Sequence, residues 1–117
     1  MLGTFVLSSG YYDAYYSKAQ KVRRVLRDRT NDILKNYDFI LSPTTPNSAF
    51  QHGDISDPIQ MYLEDIFTVQ ANITGMPAIS LPMGKHSNGL PFGLQLIGRK
   101  FEESKMFAFS KYLMEKF

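Results

Sequence analysis

The sequence contains no cysteine, and its only histidines are His52 and His86. Without thiols it can build neither a disulfide framework nor a thiolate zinc site. The two histidines have no ligand spacing around them, so a metal centre is not expected. Also missing is any run of 18 or more apolar residues, which excludes a membrane-spanning helix. The opening MLGTFVLSSGYY lacks the basic n-region and long apolar stretch of a secretory signal, so a cytoplasmic protein is expected. A formal net charge of +2 is too small to imply nucleic acid by itself. What is present is the composition of a globular domain, 44% hydrophobic and 21% charged over 117 residues.

From Gly10 to Tyr37, apolar residues recur as Tyr12, Tyr15, Tyr16, Ala19, Val22, Leu26, Ile33, Leu34 and Tyr37. This spacing predicts one long amphipathic helix, N-capped by Ser8 or Ser9 with Asp13 in its first turns. At about 1.5 Å per residue it would run roughly 40 Å. A compact body of this size has a radius of gyration of only about 13 Å. Asp38 to Ser42 then reads as a strand buried on both faces, stopped by Pro43-Thr44-Thr45-Pro46. Asp57-Pro58 signals the start of a helix over 58–74, with Ile59, Tyr62, Leu63, Ile66, Val69 and Ile73 along its stripe. Gly75 and Pro77 end it. Residues 78–84 and 91–98 read as strands joined at Asn88-Gly89, and Glu102 to Phe117 as a closing helix. The predicted fold class is α/β, in the order α-β-α-β-β-α. Three strands that all look doubly buried need helices on both sides and further strands at the edges, so this reads as part of a larger α/β body. A beginning at Met1 within the apolar run LGTFVLSSG points the same way.

Sites of chemistry are sparse. No serine is followed three positions on by lysine, and no GxSxG occurs, so no serine nucleophile comes with a base at local spacing. Glu64 and Asp65 are neighbours on the predicted helix, so their side chains diverge by about 100° and cannot form a facing catalytic pair. One of them could face a cleft; the plain alternative is that both are solvated helix charges. Thr44 and Thr45 follow the carboxyl end of a strand read as parallel, where open α/β sheets bind ligands, although polar residues in a Pro-bounded turn need no function. Lys18, Lys21, Arg23, Arg24, Arg27, Arg29 and Lys35 outnumber Asp28 and Asp32 on the first helix. That face could follow RNA phosphates or simply be solvated.

The segments LSSGYYDAYY, YDFILSPTTP, DPIQMYLEDIFTVQANITGMPAISLPMG and NGLPFGLQLIGRKF, in that order, resemble the C-terminal part of the amidase-signature family. The resemblance covers essentially the whole chain. It implies the C-terminal portion of that fold, a mixed sheet flanked by helices. SSGYYDAYY and MYLEDIFTVQAN favour the family's tRNA-dependent branch, the glutaminase subunits of a heterotrimeric amidotransferase that also contains subunits B and C. There, glutamine is hydrolysed to supply ammonia for the conversion of Glu-tRNA(Gln) to Gln-tRNA(Gln), a step for which the B subunit uses ATP and Mg.

The resemblance further implies a Ser, cis-Ser, Lys triad located in the N-terminal half of the family, none of it in residues 1–117. The expectation is therefore a single fragment without catalytic residues, silent alone and holding no cofactor. Asp65 matches the family's aspartate that binds the free amino group of glutamine, a task suited to a carboxylate facing an ammonium. The arginine that grips the substrate carboxylate would precede residue 1. Glu64 is given no such role and is expected to face water or a neighbouring subunit. Two other readings stay open: another amidase-signature amidohydrolase, and an RNA-binding module built on the basic helix.

Overall fold

The computed structural model describes residues 15–55 and 57–117. The expected N-cap at Ser8 or Ser9, together with Tyr12 and Asp13, lies outside the described residues. The elements follow the order α1 (Ser17–Asn36), β1 (Ile40–Pro43), α2 (Pro58–Glu64), α3 (Ile66–Thr74), β2 (Ala78–Lys85), β3 (Pro91–Ile97) and α4 (Glu103–Lys116). The predicted succession holds, except that the helix expected over 58–74 is two helices.

Helix ends follow the sequence signals. The Asp57 carboxylate accepts the Ile59 N–H at 2.9 Å with Pro58 in the first turn. At the far end Gly75 adopts the left-handed conformation at φ 67°, its N–H donating to Ala71 O at 2.8 Å. That backbone suits glycine and stops α3 before Pro77. Nothing comparable marks residue 65. There the backbone departs from helix at φ −95° and ψ 2°, so Asp65 closes α2 and opens α3.

The three strands form an antiparallel sheet in the order β1-β3-β2. β2 and β3 are the expected hairpin, closed by His86 N–H to Leu90 O at 2.8 Å and by Leu90 N–H to Asn88 Oδ1 at 3.1 Å. Gly89 takes φ +81° in that turn. β1 crosses back to the other side of β3, setting Ile40, Leu41 and Ser42 opposite Ile97, Leu96 and Gln95. The reading of β1 as a parallel strand is therefore corrected: its partner runs against it.

Side chains alternate between two apolar layers. On one face Ile97 and Ile40 pack with Leu34 of α1, Ala71 of α3 and Met76. On the other, Leu81 and Leu96 pack with Met106, Phe109 and Leu113 of α4, and Phe39 stacks on Phe109 with centroids 5.0 Å apart. The sheet lies between α1 with α3 on one side and α4 on the other. Burial on both faces holds only for the second half of β3; β1 and β2 alternate, and Leu41 is 54% exposed. The sequence predicts strands buried on both faces, yet Ser42, Gln95 and Ser80 lie side by side in one cross-strand row. Gln95 is buried and satisfied, donating to Ser42 Oγ at 3.2 Å and to Phe67 O of α3 at 2.9 Å.

Two arginines from distant sequence satisfy carbonyls at helix C-termini. Arg99 Nε donates to Leu34 O at 2.7 Å at the end of α1, and Arg23 Nε donates to Ile73 O at 2.8 Å at the end of α3. Asp38 takes a salt bridge from Lys105 of α4. The Lys105 hydrogen bond and charge, aided by Arg99, hold its carboxyl below the ordinary aspartate range.

Candidate functional site

The turn after β1 and the junction of α2 with α3 meet in an open hollow of about 400 Å³, lined by Thr45, Asn47, Phe50, Met61, Glu64 and Asp65 among others. Each side is built by a local signal. Pro43 and Pro46 bar the chain from helix or continued strand, so the Thr44–Asn47 segment turns at the sheet end. The helix break delivers the two carboxylates from above. The two sequence candidates, the Thr44-Thr45 turn and the Glu64-Asp65 pair, thus belong to one place.

Within it the threonines divide. Thr44 faces the sheet: its N–H donates to Gly93 O at 2.9 Å and its hydroxyl lies 2.6 Å from Ser80 Oγ. Thr45 donates to Asn47 O at 2.9 Å, tightening the turn. Glu64, expected to face water or a neighbouring subunit, has a partner within the chain. It is half-buried, and its Oε1 accepts Asn47 Nδ2 at 2.8 Å, tying the turn to the end of α2. The missed residue is Asn47. It sits 17 positions from its partner, and no local spacing announces such a pair.

Asp65 behaves differently. Its backbone is fully used, its carbonyl accepting from Thr68 and Val69 N–H at 3.1 and 3.0 Å and from the Thr68 hydroxyl at 3.1 Å. Its side chain occupies the N-cap position of α3, where an aspartate commonly takes a helix N–H, but makes no capping bond. Among the described residues the carboxylate has no hydrogen-bond or ion-pair partner, and it is exposed beside the hollow. An unspent carboxylate held on a fixed bend can receive a cationic or N–H-bearing group.

Other chemistry is thin. Among the described residues, serine hydroxyls that bond to side chains do so with Gln95, Thr44 and Asn88, and none reaches a lysine or histidine. No group of three or more His, Asp or Glu is placed to hold a metal ion, and no helix is long and apolar enough to cross a membrane, again among the described residues.

Residues 1–107 match the family model for amidases, and the chain belongs to the amidase family. More narrowly, it is 56% identical over 106 residues to the A subunit of the glutamyl-tRNA(Gln) amidotransferase of Halothermothrix orenii, covering 91% of this chain and 22% of that protein. It is 59% identical to the corresponding protein of Brevibacillus brevis, over 89% of this chain and 21% of that one. In three dimensions it is similar to the crystal structure of the corresponding protein from Thermotoga maritima, with a TM-score of 0.79 and 55% identity over 92% of this chain and 24% of that chain. A 6-aminohexanoate cyclic dimer hydrolase shares the fold at TM-score 0.72 and 23% identity, over 92% of this chain and 25% of that chain. The chain spans between a fifth and a quarter of the length of the curated relatives it matches.

Proposed function

We propose that residues 1–117 form the carboxyl-terminal part of the glutaminase component of a tRNA-dependent amidotransferase and supply one substrate-binding acid to its active site. In this reading the larger protein hydrolyses glutamine with a Ser, cis-Ser, Lys triad carried outside this chain. Subunits B and C complete the complex, and ATP and Mg serve the B subunit when ammonia is passed to Glu-tRNA(Gln). The complex works in the cytoplasm, and residues 1–117 alone are inactive.

The observation that supports this most is the state of Asp65. A carboxylate without a partner among the described residues, fixed at a helix break beside a hollow, suits an α-ammonium group, which needs a charge-assisted hydrogen bond. The identity to glutamyl-tRNA(Gln) amidotransferases over about nine-tenths of the chain gives that ammonium a source, glutamine. Glu64, occupied by Asn47, is left out of substrate contact.

The test is steady-state glutamine hydrolysis by the full-length protein in its complex. A hydrogen bond to a charged group contributes about 1.5–3 kcal/mol, so Asp65→Ala should raise KM for glutamine roughly ten- to a hundredfold. The thermal midpoint should hardly move, because the side chain makes no hydrogen bond or ion pair among the described residues. An unaltered KM would remove Asp65 from the site.

A further inference from the structure

A second hollow, of about 470 Å³, lies where α1 passes the end of α3. Among the described residues its lining carries five cations, Lys21, Arg23, Arg24, Arg27 and Lys100, and no acid. Part of this charge has an internal use. Arg23 caps Ile73 O, and the Lys100 ammonium stands 3.5 Å from where a Cβ on Gly75 would lie, over the negative end of α3. Arg27 pairs with Asp28 at 3.2 Å. Lys21, Arg24 and Lys100 form no hydrogen bond or ion pair among the described residues.

Lys21, Arg24 and Arg27 are three residues apart on α1, so they share one flank and rise in steps of about 4.5 Å. Like charges at that spacing repel, a local cost that an anion on this flank would relieve. We propose that this flank is a contact site for the phosphodiester backbone of RNA.

The donors argue for a strand rather than a discrete ion. A closed anion site presents several free backbone N–H groups. Here the N–H groups of Gly75 and Met76 both donate to Ala71 O, at 2.8 and 3.1 Å, so the turn offers none. What remains is a row of long flexible side chains on an open flank, which suits repeated phosphates along a chain. Among the described residues no aromatic side chain lines the hollow, so binding should be indifferent to base sequence.

The test uses the full-length protein and a fluorescein-labelled uridine oligonucleotide, with anisotropy recorded from about 50 to 200 mM salt, the range over which phosphate contacts show most clearly. Wild type should bind with strong salt dependence. Lys21→Ala/Arg24→Ala/Lys100→Ala should reduce the slope of log affinity against log salt by about two, at roughly 0.7 per lost single-strand contact. Lys21→Arg/Arg24→Lys/Lys100→Arg should bind like wild type, and because it retains the charge it separates lost contacts from lost folding. Arg23 is left intact because it caps α3. Absence of salt-sensitive binding by wild type, or an unchanged slope in the alanine variant, would overturn the proposal. So would displacement of the oligonucleotide by equimolar inorganic phosphate or ATP, which would mark a small-anion site. None of these readouts involves glutamine, so their failure is distinct from failure of the assignment of Asp65.

Discussion

Gly93 lies between two hydroxyls. A Cβ built on it would stand 2.7 Å from both Ser80 Oγ and Thr44 Oγ1 and 3.4 Å from Leu81 O. Its backbone does not have positive φ, so the requirement for glycine is one of space. The hydroxyls are hydrogen-bonded to each other at 2.6 Å and cannot both move aside without breaking that bond. Gly93→Ala should therefore destabilise the fold by about 1–3 kcal/mol, the usual cost of overpacking, read from urea unfolding. In a Thr44→Ala background the penalty should shrink, because one obstacle is gone and neighbouring substitutions are not additive. An equal penalty in both backgrounds would show that the hydroxyl pair is not what excludes the methyl group. At this same scale the two neighbouring carboxylates acquire different characters: Glu64 is spent on Asn47, while the Asp65 carboxylate has no partner among the described residues.

Among the elements, the ends of α1 and α3 both depend on a borrowed guanidinium. Arg99 donates to Leu34 O and more weakly to Tyr37 O, and bridges to Glu102 at 3.3 Å, so one side chain joins the end of α1 to the start of α4. Its planar fork can serve these acceptors at once, whereas an ammonium is a single point of charge. Arg99→Lys should lower stability by about 1–2 kcal/mol despite conserving charge, since one to two hydrogen bonds to carbonyls are lost. Stability equal to wild type in urea would show that charge alone suffices. The basic residues of α1 look in sequence like a solvated face, and for Arg23 that reading is incomplete. The clue is available in principle: a helix stopped by Gly75 leaves orphan carbonyls that something must satisfy. Which residue does so cannot be read locally, because Arg23 and Ile73 are 50 positions apart.

As a whole, the molecule exposes more than a chain of its size ordinarily does. Its accessible surface is 8985 Å², against about 6,500 Å² for a compact monomer of 13.4 kDa. The radius of gyration is 17.3 Å rather than about 13 Å. Large apolar side chains are among those exposed: Val22 and Leu26 on α1, Ile59 and Tyr62 on α2, and Phe101, which is 94% exposed. The stripe predicted along 58–74 points largely into solvent, and the buried contacts of α3 come instead from Ala71 and Thr74. Such patches ordinarily mark surfaces that pack against other protein. Residues 1–117 produced alone should thus self-associate in sedimentation velocity and enhance ANS fluorescence per residue, several-fold above the full-length protein. A monomeric chain silent to ANS would contradict this picture of uncovered faces.

Wherever structure depends on nearest neighbours, the sequence alone sufficed: the Asp57-Pro58 start, the Gly75 stop, the Asn88-Gly89 turn and the order of elements. Those features rest on φ preferences and on hydrogen bonds spanning a few residues, which composition and spacing encode directly. Only tertiary structure decided the break at Asp65, since no proline or glycine marks it and the apolar stripe runs through it unbroken. The same holds for the antiparallel return of β1 to β3, the cross-strand row of Ser42, Gln95 and Ser80 in which only Gln95 is buried, and the pairing of Asn47 with Glu64. Each joins groups far apart in the chain, and a polar residue's place in the fold depends on whether a distant partner satisfies it.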